Sequence, residues 1–525
     1  MVRDMDAWAS GYVTDLEYAN GFYREQSPNH LRLICLLCGV ETAAIDASFT
    51  YCELGCGTGI TSLILAAANP EARFVAVDFN PSHILNAREL ARASGLTNVE
   101  FHECAFEDLV DGRGPTMPAF DFITLHGVYS WVAPSVRASV VQFIAKTLKP
   151  GGIAYVSYNA MPGWAACLPV QRLLYDVAEQ GWERSDSRMH RAVGLLSKLK
   201  EADAAALKNN SFVKEILKYA TIDRHPYLVH EYLNGNWSPQ YHIDVARDLA
   251  AAKLTYVGSA DPINNYLEFM LSPAQHEIVG RVESSLLRET LLDICIDRRF
   301  RQDVFIRGRR RMSPAKQAAL LKQVTMMLMV PRSAVRFKLT VPAGEADLSP
   351  ATFGPLADAL AERPRKIGEL LDLVASKTDR GMPAAEIIAT LMSSKQALPL
   401  KDGVRAGDQA VADRLNKVLL EQVDAFDPNS QIGLAVAELG SGIQCNFVEA
   451  LVLRAGMHGA DKLVERAAAE ALRLIESRGD HVLRDGKAVE AEEDALEIVR
   501  NKVRQVTGDK FPVWQKLLPQ LQRLA

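Results

Sequence analysis

The sequence has no excess of positive charge. Its 59 Lys and Arg stand against 64 Asp and Glu, a formal net charge of -5, so no global attraction to nucleic acid is expected. Cysteine is sparse. Only Cys35 and Cys38 form a CxxC, inside the apolar run LRLICLLCGV, and no second pair stands at zinc-site spacing. The cysteines therefore read as buried free thiols, and no metal site is expected. No apolar run reaches the ~20 residues that cross a bilayer. The opening MVRDMDAWASGYVTDLEY lacks the basic start and apolar core of a secretory signal. There is no fixed-period repeat and no low-complexity segment. What remains is 48% hydrophobic and 23% charged, the composition of an ordinary globular protein. A cytoplasmic location without membrane partners is expected, and the oligomeric state stays open.

The 525 residues suggest about three domains at roughly 150 residues each. Residues 1–46 read as a helical cap with interleaved aromatics, in which Ser27 caps a helix opened by Pro28. Over 47–164, short β-branched runs alternate with helical patterns: FTYCEL, ITSLILAAA, ARFVAVDF, HILNARELARASG, NVEFHEC, FDFITLHG, VRASVVQFIAKTL and GGIAYVSYN. This alternation indicates an α/β domain with a Rossmann-like, doubly wound parallel sheet. Residues 165–330 read as a mostly helical middle domain. Residues 331–525 form a mostly helical C-terminal domain, in which KIGELLDLVASK, AAEIIATLMSSKQ and ALPLKDGV suggest a winged-helix-like module with a hairpin.

The segment FTYCELGCGTGITSLIL places a glycine loop between a strand and a helix. Glycines there allow a sharp turn and close approach of a ligand. Two ligand classes use such a loop. A dinucleotide sets its pyrophosphate on the helix N-terminus and prefers G-x-G-x-x-G. This loop is instead Gly55-Cys56-Gly57-Thr58-Gly59, and Glu53 lies just ahead of it. A carboxylate beside the loop disfavours a phosphate and suits a ligand carrying an ammonium and a sulfonium. S-adenosylmethionine has both. Asp78, with Phe79 next, ends the second strand about twenty residues beyond the loop, where a carboxylate accepts from ribose hydroxyls. After the third strand, Phe106 is placed to pack on the adenine. Glu107 or Asp108 can accept from its amino group or simply be solvated.

Ligands in such sheets lie beyond the carboxyl ends of the strands. LHGVYSWVAP therefore brings His126, Tyr129, Ser130 and Trp131 toward the transfer site, and AYVSYNAMPGW adds Tyr158, Asn159, Pro162 and Trp164. The aromatics can line a desolvated channel for an amine, and Asn159 can orient it. His126 is either a proton acceptor or a structural, hydrogen-bonded histidine. HPYLVHEYLNGNWSPQYH either covers the mouth of the site or packs within the helical domain. Arg307 and Arg309–Arg311 read either as a solvated helix terminus or as a docking patch for an acidic partner.

ELGCGTG, HGVYSWV and SYNAMPGW, followed by HEYLNGNW, DVARDLAAAKLTYVGSA and FRQDVFIRG, resemble the bacterial methyltransferases that carry a methyltransferase regulatory domain. That family includes rickettsial protein-lysine methyltransferases. The resemblance spans roughly residues 1–320. It implies cofactor contacts at Glu53, Gly55, Gly57, Gly59 and Asp78, and a transfer segment at His126–Val132. It also implies an N-terminal helix whose Tyr18, Phe22 and His30 cover the cofactor. Ala105 departs from the acidic residue usual at that position. The leading expectation is a methyltransferase acting on lysine of a protein substrate. The alternatives are a small-molecule methyltransferase and a non-catalytic cofactor-binding regulator.

Overall fold

The computed structural model describes residues 13, 15–16, 21–43, 47–221, 225–375, 383–405, 407–425, 431–457, 459, 462–484, 487–489 and 491–518. A seven-stranded sheet organises them. Its strands are β1 (Thr50–Leu54), β2 (Arg73–Asp78), β3 (Val99–Glu103), β4 (Phe120–Leu125), β5 (Leu148–Asn159), β6 (Leu254–Ser259) and β7 (Phe300–Arg307), in the order β3-β2-β1-β4-β5-β7-β6. Strands β1 to β5 are parallel. Strand β7 runs antiparallel between β5 and β6. The Rossmann-like expectation holds, but the sheet is mixed. It also draws strands from both sides of residue 164, because its last two lie within the segment read as helical. The strand order reverses at β1 and β4, the switch point where such sheets bind ligands.

Helices α1 (Pro28–Leu37), α2 (Ile60–Ala68), α3 (Pro81–Ala93) and α4 (Pro134–Thr147) flank the sheet. Local chemistry sets their starts. The Ser27 side chain accepts from the His30 N–H ahead of α1, and Asn80 accepts from the Ser82 N–H ahead of α3, each with Pro at the first turn. Gly95 follows the end of α3 at φ +67°.

All nine residues of α2 are buried, so it must be packed on more than its sheet side. The second layer comes from far along the chain, as a hairpin of Ile432–Val436 and Ser441–Cys445. Gly433 and Gly442 let it approach closely. A Cβ on Gly433 would lie 2.4 Å from both Ile64 Cδ1 and Phe22 Cβ, and one on Gly442 would lie 2.8 Å from Ile64 Cγ2. The C-terminal residues therefore share one continuous apolar core with the sheet.

Helices α5 (Leu168–Ala178), α6 (Ser185–Glu201), α7 (Ser211–Thr221) and α8 (His225–Tyr232) enclose a separate core around Leu174, Met189, Leu196, Phe212 and Leu228. A further helix, α9 (His242–Ala250), leads into β6. The segment read as winged-helix-like pairs its strands in a different order from the one expected. Thr325–Leu328, Arg365–Lys366 and Ala397–Pro399 form a three-stranded sheet, but its middle strand precedes the helices in sequence. Ala397–Pro399 therefore pairs backward, and among the described residues the expected hairpin does not form. The last helix of this module, Ala384–Ser393, buries Ile387, Ile388 and Met392. Ser393 Oγ donates to Asp261 at 2.8 Å and accepts from the Ile263 N–H at 3.1 Å. That helix is seated on the molecule and is not offered to a nucleic-acid groove. No helix among the described residues is long and apolar enough to cross a membrane.

Candidate active site

A cleft of about 590 Å³ opens at the carboxyl ends of β1, β2, β4 and β5, within the usual range for a nucleoside-sized ligand. The glycine loop forms its floor. The Gly55 and Cys56 N–H groups donate to Val77 O at 2.8 and 3.0 Å, which ties the loop to β2. Gly57 lies at φ +52°, and a Cβ there would meet nothing within 4 Å, so its face opens into the cleft. Gly59 lies at φ +76°, and a Cβ there would stand 2.5 Å from Phe101 Cε1 and 2.8 Å from Ala87 Cβ. Gly59 thus brings α2 against β3 and α3 without itself lining the cleft.

Two carboxylates border the loop. Asp78 Oδ2 accepts from the Gly57 N–H at 2.8 Å, and Oδ1 accepts from the Asn80 N–H at 2.9 Å. An ionised carboxylate has about four acceptor positions, so capacity remains for ribose hydroxyls. Glu53 accepts from Gln26 Nε2 at 3.2 Å and from the Ser62 hydroxyl. Burial pushes the Glu53 carboxyl up to about 7, and the bonds from Ser62 and Gln26 oppose that rise. Phe79, Ala105, Phe106 and Glu107 complete this end. Asp108 is held by Arg113 at 2.6 Å, which leaves Glu107 as the less engaged acid. An open glycine face, a carboxylate at the strand end and an apolar wall fit a nucleoside bearing no phosphate.

The N-terminal expectations need correction. Phe22 is fully buried under the C-terminal hairpin and does not line the cleft. His30 points to the sheet edge, with Nε2 2.6 Å from Ala260 O. Tyr18 lies outside the described residues. Among the described residues of this segment, Gly21 and Tyr23 reach the cleft. The Tyr23 ring stacks on His126 with centroids 3.7 Å apart.

At the other end, His126, Trp131 and Asn159 line the cleft. His126 Nδ1 is 2.8 Å from the Tyr155 hydroxyl, and burial lowers its imidazolium to about 4. It is therefore neutral near pH 7 and too weak a base for an ammonium proton, which favours the structural alternative. Tyr129 and Tyr158 are corrections. Tyr129 is fully buried, and its hydroxyl donates to Asp248 at 2.9 Å. The Tyr158 hydroxyl donates to Asp303 at 2.5 Å, inside a network where Arg301 reaches Asp293, Asp303 and Glu289. Ser130 accepts the Asn159 N–H at 2.8 Å and so fixes Asn159. Trp164 packs in the helical core, its indole N–H donating to Arg299 O at 2.6 Å. Arg310 and Arg311 lie on a short strand paired with Val40–Glu41, not at a helix terminus.

The segment HPYLVHEYLNGNW divides between its two readings. Tyr232 and Trp237 join the helical core, while Tyr227, His230, Glu231 and Asn236 line the cleft. Sequence reasoning passed over Glu231. Its signal was a lone carboxylate within an aromatic helical run. Asn159 Nδ2 donates to Glu231 Oε1 at 3.1 Å. Burial, opposed by that bond and aided by nearby Glu215, pushes the Glu231 carboxyl up to about 7.

Residues 45–214 match the family profile described as "Methyltransferase domain", and residues 224–307 match "Predicted methyltransferase regulatory domain". The Synechocystis sp. protein sll1526 is 34% identical over 97% of this chain and 99% of its own length. The Rickettsia prowazekii protein RP789 is 28% identical over 55% of this chain and 51% of its own. PKMT2 from Rickettsia typhi, solved with AdoHcy, has the same fold: TM-score 0.66 at 18% identity, covering 95% of this chain and 99% of that one. The chain belongs to the class I S-adenosylmethionine-dependent methyltransferases that carry a methyltransferase regulatory domain.

Proposed function

We propose that this enzyme methylates the side-chain amine of lysine in protein substrates. One observation carries the reading. Beyond the glycine loop the same cleft is lined by Trp131, Tyr227 and Phe300 and by the hydrogen-bonded Asn159–Glu231 pair. An alkyl chain with a cationic tip suits aromatic walls and an acidic end. The fold shared with PKMT2 supports the same acceptor class.

S-adenosylmethionine supplies a methyl group on positive sulfur, already activated for displacement. The chain's own residues have three tasks. Asp78 and the Gly57 face hold the nucleoside, with Phe79 and Phe106 as its apolar wall. Tyr23, stacked on His126, would form part of the wall beside it. The acceptor end must present an uncharged nitrogen in line. Neutralising a lysine near pKa 10.4 at pH 7 costs about 4–5 kcal/mol.

Incubation with cell lysate and methyl-labelled cofactor, followed by mass spectrometry, tests the proposal. Methylated lysines in discrete proteins are expected. Label confined to small molecules, or to oxygen and carbon acceptors, would reject it.

A further inference from the structure

We infer that Glu231 is the acceptor-side catalytic carboxylate: it pairs with the incoming ammonium and takes its proton, while Asn159 holds it in position. The inference rests on the amine reading above and deepens it.

Glu231 lies on α8 within the regulatory-domain match, yet its carboxylate faces the same cleft as the glycine loop. It is partly buried. The one hydrogen bond it accepts from a described side chain is that from Asn159. Asn159 is itself fixed at the end of β5, its N–H held by Ser130 Oγ and its carbonyl accepting from the Gln240 N–H at 2.8 Å. A carboxylate anchored through one oxygen keeps acceptor capacity on the other. Of the other titratable groups on the cleft, Glu107 lies at the glycine-loop end and His230 precedes Glu231 on α8, and several of the rest are already engaged. His126 is neutral and bound to Tyr155. Asp78 and Glu53 are engaged at the loop. Asp108 is paired with Arg113. Arg299 pairs with Glu215 at 2.9 Å, and among the described residues no cation pairs with Glu231. Burial and the nearby Glu215 disfavour its charge. An arriving ammonium relieves that cost.

The step balances. The carboxylate removes one proton from R–NH3+, giving R–NH2 and a neutral Glu231. The freed nitrogen pair then forms the N–C bond as the C–S bond breaks, and that bond's electrons remain on sulfur. The Glu231 proton later leaves to solvent.

The test uses Glu231→Gln, which keeps the shape and can still accept from Asn159, and Glu231→Asp, which keeps the charge. Three readouts are needed in the full-length protein: S-adenosylhomocysteine affinity, lysate labelling against pH, and binding of Nα-acetyl-lysine amide against Nα-acetyl-norleucine amide to the S-adenosylhomocysteine-loaded enzyme. For Glu231→Gln, lysine labelling is expected to fall about 100-fold or more at pH 7 and to recover in part as pH rises. Cofactor affinity should stay near wild type, and the preference for the lysine probe should vanish. Glu231→Asp should regain part of both. Labelling by Glu231→Gln within about tenfold of wild type, an unchanged lysine preference, or an equal loss of cofactor affinity overturns the inference. If wild-type enzyme labels no lysine at all, the amine reading fails first, and this inference with it. If lysines are labelled and Glu231→Gln matches wild type, only this inference fails.

Discussion

Gly57 and Gly59 are two residues apart, and the structure assigns them different physical duties, so alanine at each should fail differently. Both have positive φ, which costs a non-glycine residue roughly 1–2 kcal/mol. At Gly57 nothing lies within 4 Å of the added methyl, so the folding cost stops there. The methyl instead projects toward the bound nucleoside and should weaken S-adenosylhomocysteine binding about 10- to 100-fold, or ~1.4–2.8 kcal/mol. At Gly59 the methyl collides with Phe101 and Ala87, which adds about 1–3 kcal/mol of overpacking. The total cost to folding is then ~2–5 kcal/mol. Urea unfolding and isothermal calorimetry on the two variants separate the effects. If Gly57→Ala bound the nucleoside as wild type does, or if Gly59→Ala unfolded at the wild-type midpoint, the division of labour in the loop would be refuted.

Asp78→Asn should lower cofactor affinity by about 1.5–3 kcal/mol, the scale of a hydrogen bond to a charged group. Calorimetry giving wild-type affinity would remove Asp78 from the ribose contact. Glu53 has a folded-state value near 7 against an ordinary 4.5. Its contribution to stability is therefore fully present below about pH 4.5 and is lost as pH rises through about 7, some 3 kcal/mol in all. Glu53→Gln should flatten that part of the apo-protein's pH profile in denaturant unfolding at pH 5 and 8, and an unchanged slope would contradict the assignment. Arg301→Met strips the partner from buried Asp293 and Asp303 and should cost about 3–5 kcal/mol. A variant whose thermal unfolding matched wild type would show that the network bears no such weight.

The glycine loop, Asp78 and the strand-end loops were legible in the sequence because their signals are local: a β-branched run, a G-x-G-x-G turn, a carboxylate where the next strand stops. Direction was not legible. Tyr129 and Tyr158 sit at strand ends as expected, but their side chains turn to Asp248 and Asp303, partners that fold in from residues far downstream. Phe22 and His30 looked alike as aromatic covers, and only the C-terminal hairpin and the end of β6 decide what they touch. Strand β7 hid because Arg301 and Asp303 interrupt its apolar pattern, and their burial makes sense only beside Asp293 and His242. Glu231 went unnoticed because nothing near it in the chain reveals that Asn159 lies opposite.

Strand β5 is complete at Asn159, yet its antiparallel neighbour begins only at Phe300. During synthesis, the residues from 160 to 299 must leave the ribosome before that edge of the sheet can be covered. Until then β5 presents an open row of backbone donors and acceptors, a template for mispairing with other nascent chains. A gene fragment stopping near residue 220 would keep the glycine loop and Asp78 and should still express as aggregate. Soluble C-terminal truncations should therefore need to retain β7, and also the 432–445 hairpin that covers α2.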